Sequence, residues 1–258
     1  MAGETQQIEQ TVKDAEEGLN LHIAFIPEQV GDFFGIPLTN TLITSWIVII
    51  ALVVFAIIVR SRISAHPKGV QNFVETLFAY ILDYMTETLG NRMIAVAAFP
   101  LIVTIFLFIW ISNWAEFLPG IGSILIGEHP LFRSVSTDLN VTIALALVSV
   151  VVMEVAGMRA LGPLKYLGKF FNFASPLKFF IGLIELISEL ARLVSFSFRL
   201  FGNIFAGEVL ILVMIALLPV VLPVPFMLFE LFVGFIQAAI FALLTMFFIK
   251  IAITPSHE

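Results

Sequence analysis

Three polar side chains interrupt a long apolar stretch in the C-terminal half of the sequence. Arg199, Asn203 and Glu208 lie within SFSFRLFGNIFAGEVLI, residues 195–211, inside an apolar run from about 181 to 222. An arginine at the centre of a membrane-spanning helix costs roughly 2.5–3.5 kcal/mol, so it indicates a functional site. Its guanidinium stays cationic even when poorly solvated. Arg199 is therefore expected to be a fixed positive charge that carries no proton itself.

Two glutamates and a glutamine are candidates for proton transfer. At roughly 100° per residue, Glu208 points to the side of its helix opposite Arg199. Glu230 and Gln237, seven residues apart near the C-terminus, share a helix face. A carboxyl group in apolar surroundings can exchange protons at useful pH. No second lysine or arginine lies in the apolar core to pair both glutamates, which favours transfer over structural pairing, while Gln237 can also simply hydrogen-bond between helices.

A second polar group shares the face of Arg199. Glu185, Glu189 and Arg192 precede it on the same predicted helix, three and four residues apart. This spacing allows simple ion pairing near a membrane interface, and it also allows the side chains to line an ion path. Glu154 allows the same two interpretations: it can neutralise a neighbouring basic side chain, or it can line an ion path. Asn113 and Glu116 lie near the end of another apolar segment and are also possible site residues.

The elements that position these residues must be membrane-spanning helices. The chain is 60% hydrophobic and only 12% charged, against roughly 25% charged in soluble domains. Runs of about 20 apolar residues are long enough to cross a bilayer. The sequence predicts an all-α integral membrane protein with five spans at about 42–59, 94–118, 141–156, 176–218 and 226–253. The fourth would be about 64 Å long, so it must be steeply tilted.

The remaining segments complete the predicted organisation. Residues 70–90 repeat apolar side chains with helical period and carry acids on another face, which predicts an amphipathic helix on the cytoplasmic surface. Residues 1–40 form an acidic segment outside the membrane, and residues 41–258 form a single membrane domain. Basic residues cluster at 60–68 and 159–178. By the positive-inside rule those loops are cytoplasmic, as is the C-terminus, and the loop 119–139 with Arg133 is outside.

Metal and thiol chemistry have no support in the sequence. The chain contains no cysteine, which excludes disulfides and thiolate sites. Its four histidines are far apart and outside the long apolar runs. No metal site is predicted.

The stretch around Arg199 resembles the signature of subunit a of F-type ATP synthase. The matching residues are Ser195, Ser197, Arg199, Leu200, Gly202 and Asn203, followed by Ala206-Gly207-Glu208. The similarity extends to TDLNVT at 137–142 and to Gln237, and it covers most of the chain after the first ~35 residues. The second stretch adds Asp138 and Asn140 as possible site residues.

The resemblance implies a membrane stator that conducts protons or sodium ions past a rotor ring through two half-channels. Arg199 would face the ring carboxylates, with Asn203 and Gln237 as polar neighbours. Glu208 and Glu230 would line the outer half-channel and Glu185 the inner one. The family often has histidine at one outer position, so which glutamate relays the proton is left open.

The resemblance also implies the surroundings of the chain. It implies no cofactor and no enzyme activity for the chain alone. The expected partners are the c-ring, the peripheral-stalk b subunits, other ATP synthase subunits and the lipid bilayer, without nucleic acid. The expected location is a bacterial plasma membrane.

Two other functions are considered. A self-contained secondary transporter would be expected to show internal repeats and a midplane substrate site, and the sequence shows no repeat. A structural anchor would have no reason to keep Arg199, Glu208 and Glu230 together in an apolar core.

Overall fold

The computed structural model describes residues 29–33, 36–61, 63, 69–117, 125–126, 129–130, 133–170, 175–218 and 221–254. Of the acidic segment predicted for residues 1–40, residues 1–28, 34 and 35 lie outside this range. The final residues, 255–258, also lie outside them.

Seven helices make up most of the described chain. They are α1 Asn40–Ser61, α2 Val70–Leu89, α3 Arg92–Ala115, α4 Leu139–Leu161, α5 Pro163–Leu167, α6 Pro176–Leu217 and α7 Pro223–Ile253. Five of them, all except α2 and α5, are long and apolar enough to cross a membrane. The predicted all-α membrane fold with five spans is confirmed. The predicted ends differ by up to five residues, and α6 runs unbroken for 42 residues.

Local sequence signals explain where several helices begin and end. The Asn91 side chain accepts hydrogen bonds from the backbone N–H groups of Met93 and Ile94 and caps α3. Asp138 caps α4 in the same way through the N–H of Asn140. Proline occupies the first turn of α6 and of α7, where no backbone donor is lost. Gly90 ends α2 with a φ of 71°, which favours glycine.

The shorter elements flank the spans. Helix α2 packs against α3 and α7 and buries Met85 and Leu89, while Glu75, Asp83 and Glu87 are exposed. This segment is amphipathic, as predicted. Two small antiparallel hairpins, which the sequence did not predict, pair β1 Gln29–Phe33 with β2 Ile36–Thr39 and β3 Leu125–Ile126 with β4 His129–Pro130. A 3-10 turn, Val135–Thr137, precedes α4.

Helix α7 packs against α2, α3, α4 and α6 and carries much of the buried surface. Phe196 of α6 lies against Phe241 and Phe248 of α7, with ring centroids 4.8 and 5.4 Å apart. Because α7 is surrounded on several sides, two of its polar residues, Glu230 and Gln237, are buried inside the bundle. The bundle has two ends. At the turn end α6 ends and α7 begins, and at the α5 end α4 ends and α6 begins.

Candidate functional site

Arg199 lies near the middle of α6, half-buried at the edge of its packed face. Phe196, Ser197 and Leu200 are buried against neighbouring helices, whereas Phe198 is 55% exposed. The Arg199 Nη2 donates a hydrogen bond to Ser195 Oγ at 3.2 Å. No acidic side chain in the described part of the chain forms an ion pair with it. The guanidinium therefore remains available to a group outside this chain.

Gln237 lies at the level of Arg199 on the neighbouring helix. Phe196 contacts Phe241, and Gly207 faces the carboxylate of Glu230. Eleven residues separate these two contacts on each helix, so the antiparallel register of α6 and α7 is constant between them. That register sets Gln237 beside Leu200, the residue after Arg199. Asn203, one turn further along α6, is exposed.

Glu208 has a basic partner that the sequence did not predict. Arg133, just before the 3-10 turn, is buried, and its Nη2 donates to Glu208 Oε2 at 3.2 Å. No lysine or arginine of the apolar core was expected to pair both Glu208 and Glu230; Arg133, from outside the predicted spans, pairs with Glu208. The reason is that residues 133–138, read as part of an outer loop, fold back into the bundle between α1, α3 and α6.

Glu230 lies next to this pair and is more deeply buried than Glu208. Its carboxylate is in direct contact with the backbone at Gly207, the residue before Glu208. A side chain at position 207 would occupy the space of that carboxylate. Glu230 is 6% exposed, and its Oε1 makes no hydrogen bond to any described residue. The A-G-E stretch thus brings Glu208 and Glu230 to the same end of the bundle from two helices.

Glu116, in the turn immediately after α3, belongs to the same group. Burial, and then the negative charges of Glu208 and Glu230, raise the pKa of Glu116 from 4.5 to about 8. Ser134 and Arg133 act in the opposite direction with smaller effect. The turn end therefore holds three carboxyl groups and one guanidinium close together.

A shell of hydrogen bonds fixes this end of the bundle. Asn113 accepts from the Ser136 hydroxyl and donates to the Gly234 carbonyl at 3.2 Å, which ties α3 to both the 3-10 turn and α7. Asp138 accepts from the Thr41 hydroxyl at 2.9 Å and so ties α4 to α1. Asn140 takes part through its backbone N–H, and its side chain is exposed. Asn113 and Asp138 position the group, whereas Asn140 only begins the helix.

A second ionic group lies at the α5 end. Lys169 Nζ is 2.5 Å from Glu185 Oε1 and 4.0 Å from Glu189 Oε1. Arg192 Nη1 donates to Glu189 Oε1 at 2.8 Å, and its guanidinium lies 4.9 Å from the Phe248 ring centroid. Glu189 is buried, and its Oε2 has no hydrogen-bond partner among the described residues. Pairing between Glu189 and Arg192 follows from their spacing, but Lys169 could not be assigned from sequence.

Glu154 and Tyr166 extend this second group. The hydroxyl of Tyr166 and Oε1 of Glu154 are buried close together, without a well-formed hydrogen bond to a described residue. Burial, and then the negative charges of Glu154 and Glu189, raise the pKa of the Tyr166 phenol. The phenol is therefore a neutral hydroxyl over the physiological range. Tyr166 could not be identified from sequence, because it follows the predicted span in a basic segment.

The two ionic groups lie on opposite sides of Arg199 along α6. At 1.5 Å per residue, Glu189 is about 15 Å from Arg199 along the helix axis and Glu208 about 14 Å in the other direction. Carboxyl groups can accept and release protons, and a guanidinium cannot. Among the described residues no group of three or more His, Cys, Asp and Glu side chains is arranged to hold a metal ion.

Comparison with known proteins decides the family. Residues 42–250 match the family described as ATP synthase A chain. The chain belongs to this family. The matched range includes every residue of the two ionic groups and Arg199. ATP synthase A chains are membrane components of the Fo sector with a role in ion transport, so this chain is an integral, multi-pass part of an ATP synthase complex.

Individual ATP synthase A chains are similar over most of their length. The ATP synthase subunit a of Geobacter sp. (strain M21) is 34% identical over 227 residues, which cover 84% of this chain and 89% of the relative. The chloroplastic subunit a of Oedogonium cardiacum is 35% identical over 231 residues, covering 89% and 87%. That of Geobacter sulfurreducens is 34% identical over 216 residues, covering 83% and 87%.

Proposed function

We propose that this chain is the stator of a rotary F-type ATP synthase, in which Arg199 separates two half-channels that carry protons or sodium ions to and from the carboxyl groups of a c-ring. One observation carries the proposal. Arg199 is a half-buried cation without an acidic partner in the described chain, and carboxyl groups lie on both sides of it along α6. A cation kept unpaired in an apolar bundle costs free energy unless a partner compensates it.

The fixed charge of Arg199 determines where a ring carboxyl group would release its proton. A carboxylic acid that approaches a fixed cation loses its proton more readily, because the cation stabilises the carboxylate. The same cation prevents a proton from passing directly between the half-channels. Ions must therefore travel with the ring. The surface beside Arg199 suits a moving apolar partner, since Val194 and Phe198 are about half exposed.

The half-channel at the turn end uses Glu208 and Glu230, with Glu116, Asn113 and Asp138 around them. Glu208 is already paired with Arg133, so protonating it breaks an ion pair. Glu230, the one acid of α7, has an oxygen without a described partner and lies beside Gly207 of α6. We therefore assign Glu230 as the principal relay and Glu208 as the group that, with Arg133, fixes the local charge.

The other half-channel uses the ionic group at the α5 end. Glu185 is half-buried and bound to Lys169, while Glu189 is bound to Arg192, nearest to Arg199 in sequence. Glu154 and the neutral Tyr166 hydroxyl offer further polar atoms in the same region. Asn203 and Gln237 are the amide neighbours of Arg199 and lie between the two ionic groups along the bundle.

The proposed orientation places the α5 end in the cytoplasm of a bacterial cell, because Arg159, Lys165 and Lys178 all lie there. The acidic N-terminus is then outside and the C-terminus inside. Single cysteines can be introduced into this cysteine-free chain. An impermeant thiol reagent should label position 14 only from outside intact cells and position 165 only from inside. The opposite labelling pattern would reverse the two half-channels.

Passive proton flux through membranes stripped of the catalytic head tests the relay assignment. Glu230→Gln should slow flux most, because it removes the carboxyl group that is proposed as the principal relay. Glu208→Gln should slow flux less, and a histidine at position 230 should restore part of it by titrating near neutral pH. Glu75→Gln, on the exposed face of α2, is the control and should leave flux unchanged. A larger effect at position 208 than at 230 would reverse the assignment.

The alternative of a self-contained secondary transporter predicts a different result. Such a protein moves ions when it is reconstituted alone, whereas a stator does nothing without its ring. Purified chain in liposomes should therefore show no coupled flux, and flux should appear when the c-ring, the b subunits and the remaining subunits are present. Transport by the chain alone would overturn the proposed function.

A further inference from the structure

A groove of about 300 Å³ opens between α3, α4 and α7 at the α5 end. Helices α3 and α4 each pack along α7 but barely touch each other there. Small side chains face the gap, namely Ala97 and Ala98 of α3 and Ala156 and Ala160 of α4. The groove extends from Val152 to Ala160 along α4, which is about 12 Å at 1.5 Å per residue.

The wall of this groove is almost entirely aliphatic. Apolar cavities do not hold ordered water, because a water molecule needs two to four polar partners. The groove opens on the lipid-facing side, where neighbouring side chains such as Val151 and Met93 are exposed. A hydrocarbon chain is the occupant that matches this surface.

Positive charge lies at the same end of the helices as the groove, and one cation is part of the groove wall. Arg159 lines the groove in the last turns of α4, is exposed, and forms no ion pair with any described residue. Arg92 begins α3 next to Met93, and Lys250 is exposed beside Ile249 in the last turn of α7. Arg92 pairs with Asp83 only at 3.7 Å between exposed groups, which neutralises little of its charge. Each of the three helices thus brings one cation to the level where helices leave the membrane.

We propose that this groove is a binding site for an anionic phospholipid, with one acyl chain between α3 and α4 and the phosphate bound to Arg159. Basic pockets between membrane helices bind anionic headgroups, and each lysine or arginine near the surface contributes enough to change affinity about fivefold. The occupant is a lipid and not free phosphate, because the site consists of an apolar groove joined to a cation.

The chain contains its own comparison groove. A second apolar groove, of about 210 Å³, lies between α2, α3 and α7 and has no charged residue in its wall. It should accept acyl chains regardless of headgroup. A difference between the two grooves therefore reports the headgroup interaction alone.

The test uses single cysteines in the full chain, reconstituted in phosphatidylcholine nanodiscs. A fluorophore at Val151→Cys reports the first groove, and one at Phe247→Cys reports the second; both positions are exposed beside their grooves. Spin-labelled phosphatidylglycerol or phosphatidylcholine is added as quencher. We expect phosphatidylglycerol to bind about fivefold more tightly than phosphatidylcholine at the Val151 label and equally at the Phe247 label.

Charge and shape variants separate the two parts of the site. Arg159→Gln should lower the preference for phosphatidylglycerol over phosphatidylcholine at the first groove from about fivefold to about one. Lys165 is an exposed cation at the same end that does not line the groove, so Lys165→Gln should leave this preference unchanged. Ala160→Phe should abolish quenching by both lipids at that label, with helix content checked by circular dichroism. Equal preference at both labels, or an unchanged preference in Arg159→Gln, would overturn the proposal even if Ala160→Phe fails to fold.

Discussion

Arg133 and Glu208, 75 residues apart in sequence, form an ion pair inside the bundle with a nitrogen–oxygen distance of 3.2 Å. The pair ties the segment before α4 to α6 close to the end of α6. Both side chains are largely buried, with 7% and 21% of their surfaces exposed. Removing one member of such a pair leaves an uncompensated charge in an apolar environment.

A double-mutant cycle measures this pair. Arg133→Gln should lower the free energy of unfolding by about 3 kcal/mol, and Arg133→Gln with Glu208→Gln should recover part of that loss, because no charge is left unpaired. Chemical unfolding in detergent is the measurement. Arg92→Gln is the control and should cost less than about 1 kcal/mol, since its pair with Asp83 is exposed. A coupling energy near zero would contradict the structure.

Gly207 is required by the position of Glu230. Gly207→Ala would place a methyl group in the space of the Glu230 carboxylate, and overpacking of this kind costs about 1–3 kcal/mol. Gly202 on the same helix has no heavy atom within 4 Å of an added Cβ, so Gly202→Ala should be neutral or stabilise by up to about 1 kcal/mol. The melting temperatures of the two alanine variants test this difference.

Glu230→Asp shortens the side chain that faces Gly207, so adding it to Gly207→Ala should restore part of the lost stability. Equal melting temperatures of Gly207→Ala and Gly202→Ala would argue against this packing.

The stability of the turn end should depend on pH through Glu116. Because the pKa of Glu116 is raised from 4.5 to about 8, the folded protein holds a proton that the unfolded chain releases. This contribution is fully present below pH 4.5 and is lost as the pH rises to about 8. Glu116→Gln should therefore reduce the change in unfolding free energy between pH 4.5 and 8 by an amount on the order of a few kcal/mol.

The melting temperature measured from pH 4.5 to 9 in wild type and in Glu116→Gln tests this. Glu75→Gln, an exposed acid on α2, is the matched control and should retain the wild-type slope. Parallel curves for wild type and Glu116→Gln would show that Glu116 is ionised throughout.

The sequence predicted the spans because hydrophobic length is a local property. Each of the five long helices contains an apolar run that is visible without knowledge of its neighbours, and errors are confined to the ends, where caps such as Asn91 and Asp138 determine the boundary. The amphipathic α2 was predictable for the same reason, from its period.

The contacts between distant segments could not be predicted in this way. The acids Glu128 and Asp138 in the same loop as Arg133 favour an outer loop, and nothing local indicates that residues 133–138 are buried. Lys169 appeared only as part of a basic segment, although it binds Glu185. The requirement for glycine at position 207 depends on Glu230 of another helix. In each case the partner is determined by how helices pack, which hydropathy does not encode.

The central claim is that Arg199 is the fixed cation between the two half-channels, and proton-driven ATP synthesis in membrane vesicles tests it most directly. Arg199→Lys keeps the charge but loses the planar guanidinium, and lysine releases its proton more easily when buried. With assembly checked by co-purification of the c-ring, Arg199→Ala should abolish synthesis and Arg199→Lys should reduce it almost as far, while Arg92→Lys should have no effect. Synthesis at the wild-type rate in Arg199→Lys would contradict the claim.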